Sequence, residues 1–190
     1  GLYTAPSDEA LLFDIKAMKA LEFNMIRKHI KIEPARWYMH CDREGILVWQ
    51  DLPSPNLPSG YEDYAKKNFE DESKRIITAF RNHPSIIQWV VFNEGWGQFD
   101  TERMTQIVIG EVGQSLVCCA SGWVDAPIGD IKDSHSYPNP SCPLDETRAG
   151  VCGEYGGITL KVQGHIWPGG DFQYTTVETG KDFTVLFNNL

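Results

Sequence analysis

The chain has 190 residues, more than one small domain needs and fewer than the about 250 of a complete eight-fold β/α barrel. Its composition, 42% hydrophobic, 23% charged and 12% aromatic, is that of a folded domain and excludes disorder, a collagen-like repeat and a coiled coil. Lys and Arg number 17 against 26 Asp and Glu, a net charge of −9 with no basic stripe to neutralise phosphates, so nucleic acid is not an expected partner.

No apolar run reaches the roughly 18 to 20 residues that cross a bilayer, and the best stretch, Ile86 to Phe92, is interrupted by Gln88, so no membrane association is expected. Gly1 to Ser7 lacks both the basic start and the apolar middle of a signal peptide, and there is no initiator Met, which leads to the expectation of a piece of a longer polypeptide. The five cysteines, Cys41, Cys118, Cys119, Cys142 and Cys152, form no CxxC pair and have no His at zinc-finger spacing. Buried free thiols are expected, with Cys142 and Cys152 able to pair in an oxidising compartment.

Ser7 and Asp8 are caps for an amphipathic helix that runs to Glu22 through Leu11, Leu12, Ile15, Met18 and Leu21. Asn24 to Ile30 reads as a short strand. Pro34 suits a first helical turn, no breaker follows until Glu44, and Gly45 stops the helix before the strand Ile46 to Trp49. Leu52 to Ser59, rich in Pro and Ser, is a loop, and a long helix from Tyr61 to about Asn82 ends before Pro84. Ser85 to Asn93 is apolar almost throughout and β-branched, as a strand buried on both faces is. Thr101 to Val112 is a helix for which Thr101 is the expected cap, and strands follow at Leu116 to Gly122, Asp133 to Tyr137 and Ala149 to Glu154.

Six strands alternating with at least four helices make an α/β parallel architecture, doubly wound or closed as a barrel. No strand is followed by GxGxxG or GxxxxGK[ST], and Gly153-Glu154-Tyr155-Gly156-Gly157 puts a carboxylate where a phosphate would be repelled, so the (β/α)8 barrel is the expected fold. Barrel chemistry sits at the C-terminal ends of strands. Those ends carry Arg27 and His29, Trp49 and Asp51, Asn93, Glu94 and Trp96, Trp123, His135 and Tyr137, and Glu154 with Tyr155.

Carboxylates among aromatic faces suit a sugar, whose C–H faces stack on rings and whose hydroxyls need Asn, Asp, His and Arg. Glu94 and Glu154 each end an apolar strand and precede a glycine region, where an unpaired charge is costly. Two carboxylates about 5 to 5.5 Å apart perform retaining glycoside hydrolysis, one as acid and the other as nucleophile. The residues alone do not say which glutamate takes which role, and a single strand-end Glu is also a common helix cap.

The runs Asp14-Ile15-Lys16, Phe23-Asn24-Met25-Ile26-Arg27-Lys28-His29, Gly45-Ile46-Leu47-Val48-Trp49-Gln50-Asp51 and Arg81-Asn82-His83-Pro84-Ser85-Ile86-Ile87 to Asn93-Glu94 resemble the catalytic barrel of glycoside hydrolase family 2. That family includes β-galactosidases, β-glucuronidases and β-mannosidases. The resemblance implies a general acid/base at Glu94, ending the fourth barrel strand, and a nucleophile at Glu154, ending the seventh. It implies that Asn93 bonds the sugar 2-hydroxyl, that Tyr137 donates to the nucleophile, and that Arg27, His29 and Asp51 line the sugar pocket. His135 is a further sugar-binding candidate, and Trp49, Trp96, Trp123 and Trp167 are stacking candidates of which some only pack.

Counted in that frame, strands two to seven are present and strands one and eight are not, so a partial barrel is expected, in one domain over 1–190, with further domains of the same polypeptide as its partners. No cofactor is expected, and no oxygen-ligand cluster suggests a metal. The expected function is a retaining exo-β-glycosidase, β-galactosidase-like first, with glucuronidase and mannosidase also open. For glucuronate, Lys31 or Arg36 would meet the sugar carboxylate. The competing readings are a non-catalytic carbohydrate-binding barrel or inactive fragment, and a cysteine or metal hydrolase built on Cys118, Cys119 and His135.

Overall fold

A computed structural model describes residues 7–54, 62–166 and 174–190. The chain divides into two compact units, Gly1–Ile131 and Lys132–Leu190.

The first unit alternates helix and strand: α1 (Asp8–Ala20), β1 (Met25–Lys28), α2 (Ala35–Glu44), β2 (Leu47–Asp51), α3 (Asp63–Phe80), β3 (Ile86–Asn93), α4 (Thr101–Val112) and β4 (Leu116–Ser121). The four strands are parallel neighbours in chain order, with Arg27, Trp49 and Gln88 in one cross-strand row. Parallel neighbours need a crossover, and the helices supply it, which is the repeating unit of a β/α barrel. The pairing of β2 with β3 shifts between Val48 and Trp49, so that Ile87 is the extra residue of a bulge. Cys118 of β4 pairs with Ile131, the last residue of this unit.

The helices turn one stripe inward. Leu11 and Ile15 of α1, Phe69, Ser73 and Ile77 of α3, and Met104, Val108 and Val112 of α4 are buried at spacings of four, the period of a helix face. They meet Val48, Trp89, Val91 and Phe92 from the sheet, and Trp37, Tyr38 and Cys41 from α2. Ile77 is fully buried; its truncation to Ala costs about 2–5 kcal/mol by cavity formation.

Local signals explain most boundaries. Ser7 caps α1 by accepting from the Ala10 N–H, and Gly45 ends α2 in the left-handed conformation with its N–H on the Cys41 carbonyl. The cap of α4 corrects the expectation: it is Asp100, left-handed at φ +40, and Thr101 is the first helical residue, with its side chain accepting from Gln98. The loop expected over Leu52 to Ser59 lies outside the described residues from 55 onward.

In the run Arg81 to Ser85, Arg81 donates to the Glu111 carbonyl of α4. His83 Nδ1 lies 2.6 Å from Asp42 Oδ2, and the Ser85 N–H donates to Asp42 Oδ1 at 2.9 Å. The segment entering β3 is thereby bonded to the end of α2, which fixes where β3 starts and therefore where it ends.

The second unit holds β5 (Ile131–Ser136) from its second residue, β6 (Ala149–Tyr155), β7 (Ile158–Leu160), β8 (Thr175–Val177) and α5 (Gly180–Phe187). β5 and β6 are sheet neighbours, β7 and β8 form a separate parallel pair, and α5 is capped by Thr179. β5 alternates along its length, with Asp133 and His135 buried and Lys132, Ser134 and Ser136 less so. Cys41, Cys118 and Cys119 are buried thiols, and Cys142 and Cys152 are unbridged. No helix among the described residues is long and apolar enough to cross a membrane.

Candidate active site

Because β1 to β4 are parallel and adjacent, their C-terminal ends lie on one side of the first unit, and the candidate residues Arg27, Asp51, Asn93 and Trp123 lie at or just beyond those ends. Asp51, 1% exposed, is the hub. It accepts from Arg27 Nε at 3.2 Å and Nη2 at 2.9 Å, from the Ile30 N–H at 3.2 Å, and stands 3.3 Å from His29 Nδ1. Ile30 is held at φ +50, which a β-branched residue adopts only under constraint, and the Asp51 contact supplies part of it.

Arg27 reaches on from Asp51 to Asn93, with Nη2 2.8 Å from Oδ1. A guanidinium only donates, so the Asn93 oxygen faces Arg27 and the amide N–H2 points elsewhere, as a donor. The Arg27 guanidinium lies 5.2 Å from the centre of the Trp49 ring. Trp49 is therefore a buried packing residue beneath Arg27.

Glu94 follows Asn93 with φ +53, donating its N–H to the Ser121 carbonyl of β4 at 2.8 Å. A non-glycine residue in this region carries about 1 kcal/mol of strain or more, a state that clusters at functional positions. The turn continues through Gly95 at φ +76, where a Cβ would come 2.7 Å from Val124 Cγ2, and Gly97 at φ +60. Glu94, Gly95 and Gly97 thus take left-handed conformations in the turn that leaves the end of β3. Trp96 and Trp123 are exposed.

The second unit gathers His135, Tyr137 and Glu154. The Tyr137 hydroxyl donates to Glu154 Oε2, and His135 Nε2 lies 3.6 Å from Oε1. Burial first, and then the adjoining Glu154 carboxylate, push the Tyr137 phenol far above the ordinary tyrosine value, so it stays protonated and donates. Tyr174 stacks on Tyr137 with ring centres 3.8 Å apart and planes 7° from parallel. His135 Nε2 is also 3.8 Å from Asp133 Oδ2, and the Gly153 N–H donates to Asp133 Oδ1 at 2.6 Å.

Of the candidates, the structure brings Arg27, His29, Asp51 and Asn93 together, with Glu94 next in chain, and brings His135, Tyr137 and Glu154 together. Trp123 is exposed just beyond the end of β4, and Trp167 lies outside the described residues. Lys31 and Arg36 are committed to ion pairs, Lys31 with Glu33 at 2.8 Å and Arg36 with Asp8 at 3.3 Å. Asp133 and Tyr174 were not singled out in the sequence. Asp133 had a signal in its period-two spacing from His135; Tyr174 had none.

The family model described as "Glycosyl hydrolases family 2, TIM barrel domain" matches residues 5–134, more than half of the chain. The chain belongs to glycosyl hydrolase family 2. It is 34% identical over 103 residues to a β-galactosidase of Oenococcus oeni, and 33% identical over 98 residues to a putative β-glucuronidase of Formosa agariphila. Each match covers 50% of this chain, and the chain spans only about a tenth of those relatives, 10% and 9% of their lengths.

Among solved structures, Bacteroides uniformis β-glucuronidase 2, covalently bound to cyclophellitol-6-carboxylate aziridine, matches with TM-score 0.59 at 21% identity, over 70% of this chain and 19% of that one. The β-D-mannosidase of Dictyoglomus thermophilum matches with TM-score 0.57 at 22% identity, over 68% of this chain and 18% of that one. These likenesses speak for the fold, which is part of a TIM barrel, as the sequence implied.

Proposed function

We propose that this family 2 chain carries the catalytic machinery of a retaining exo-β-glycosidase, within a polypeptide that has further domains. The observation that carries the reading is the setting of Glu154, with one carboxylate oxygen taking the Tyr137 hydroxyl and the other facing His135. A carboxylate held by a hydroxyl donor is aimed, which is what a nucleophile requires.

In the first step Glu154 attacks the anomeric carbon, the glycosidic C–O bond breaks, and the Glu94 carboxyl gives its proton to the leaving oxygen. In the second, Glu94, now a carboxylate, takes a proton from water. The water oxygen attacks the anomeric carbon, and Glu154 departs with its electron pair. Asn93, its oxygen held by Arg27, offers its amide N–H2 to the sugar 2-hydroxyl, a contact that strengthens in the transition state.

A terminal β-D-galactoside is placed first, supported by the likeness to the β-galactosidase of Oenococcus oeni. The test is the stereochemistry of the first product, followed by proton NMR in the full-length protein that contains these residues. β-Galactose appearing before mutarotation supports the reading, and α-galactose as the first anomer refutes it.

A further inference from the structure

The second unit buries a carboxylate that the double-displacement scheme does not use. Asp133, 3% exposed, stands two residues before His135 on the same face of β5. Removing a carboxylate from water costs several kcal/mol unless hydrogen bonds and charges compensate. Two of the compensating contacts lead to Glu154. The Gly153 N–H, one residue before Glu154, donates to Oδ1 at 2.6 Å. His135 Nε2, 3.8 Å from Oδ2, lies 3.6 Å from Glu154 Oε1.

Residue 153 shows how closely this contact is built. A Cβ there would come 2.2 Å from Oδ2, 2.6 Å from Oδ1 and 2.7 Å from Cγ of Asp133. Any side chain at 153 would drive the carboxylate out of its place, so the glycine and the aspartate specify each other. A strand-end nucleophile points where its own backbone points, and the peptide entering Glu154 is the one that Asp133 grips.

We propose that Asp133 is a positioning residue for Glu154: through the Gly153 N–H and the His135 ring it fixes the direction of the nucleophile's carboxylate. The inference rests on the assignment of Glu154 as nucleophile. Its consequence is selective, because a misaimed carboxylate slows attack on the anomeric carbon while the contacts that bind the sugar ring stay in place. A displacement on the order of 1 Å at a reacting group slows attack about 100-fold.

The experiment uses the full-length protein and a 2-deoxy-2-fluoro-β-D-galactoside with a good leaving group, which reacts once and stays on the nucleophile. The rate constant of labelling reads the attack step, the saturation constant reads binding, and peptide mass mapping names the labelled residue. Wild type labelled on Glu154, with Asp133→Ala labelled about 10- to 100-fold more slowly at an unchanged saturation constant, supports the proposal. Asp133→Asn, whose amide oxygen still accepts from the Gly153 N–H, restores the rate to within about fivefold. Gly153→Ala, which keeps Asp133 but displaces its carboxylate, serves if Asp133→Ala does not fold, and slows labelling in the same way. Equal labelling rates per folded molecule in wild type and either variant would overturn the positioning role while leaving the glycosidase reading intact. Label on a residue other than Glu154 overturns the nucleophile assignment and this inference with it.

Discussion

Replacing Tyr137 by Phe removes one hydroxyl and little else, because the ring that stacks on Tyr174 at 3.8 Å is kept. The stacking contribution to stability is therefore kept, and the loss is confined to the hydrogen bond that the hydroxyl makes. The lost group is the donor to Glu154 Oε2, a hydrogen bond to a charged acceptor worth about 1.5–3 kcal/mol. Which step feels that loss follows from the charge on Glu154. In the proposed first step the carboxylate loses charge as it bonds to the sugar, so a donor does not lower that barrier. In the second step it regains charge as it leaves, and the donor stabilises the departing group. At about 1.4 kcal/mol per tenfold, deglycosylation slows by about 10- to 150-fold.

Tyr137→Phe should therefore lower kcat by that factor, lower KM with it as the covalent intermediate accumulates, and produce a burst of aryl alcohol in stopped-flow traces. The phenol, pushed upward by burial and by Glu154, remains protonated through neutral and mildly alkaline pH, so the wild type shows no alkaline loss from this residue there. A Tyr137→Phe enzyme with kcat within threefold of wild type and no burst would refute the assignment of Tyr137 as the nucleophile's donor.

Asp42→Ala removes the acceptor for both His83 and Ser85, and should cost about 1–3 kcal/mol, read as a lower urea midpoint at unchanged slope; an unchanged midpoint would show that this link does not hold α2 to β3. Arg103, then Lys74, hold the Glu70 carboxyl down at about 2 from its usual 4.5. The stability this contributes is complete above about pH 4.5 and is lost as pH falls from there through about 2; both cations are well exposed, so screening limits it to about 1 kcal/mol or less. The midpoint difference between wild type and Glu70→Gln should shrink over that window. Burial, with Asp42 adding to it, pushes the Cys41 thiol up to about 12, so a thiol reagent in native buffer should modify exposed Cys142 and leave Cys41 until denaturant is added.

The elements most legible in the sequence were those with one dominant force. The apolar run ending at Asn93 is a strand buried on both faces, and Gly45 is the only residue near the end of α2 that takes φ +67 without strain. The α4 cap was misread because Thr101 looks like a capping residue, whereas the preceding left-handed turn leaves that position to Asp100. The pair β7 and β8 went unforeseen, since three-residue strands carry too little periodicity to register.

At the candidate site the sequence marked the chemistry-bearing residues but not their wiring. Nothing in residue order says that Asp51 gathers Arg27, His29 and Ile30, or that Arg27 turns the Asn93 oxygen toward itself. Those are contacts between strand ends, set by register. Asp133 was passed over because one acid in a polar strand reads as solvated until its burial is known.

The central claim is that Glu94 and Glu154 together cleave a β-glycoside. Its most direct test is nitrophenol release from aryl β-D-galactoside, glucuronide, mannoside and glucoside by the full-length protein, with Glu94→Gln and Glu154→Gln alongside. The account predicts turnover of the galactoside first, reduced by about 100-fold or more in each variant, the range for loss of an essential acid/base or nucleophile. A well-folded wild-type protein that turns over none of the four, or variants that keep full turnover, would contradict it.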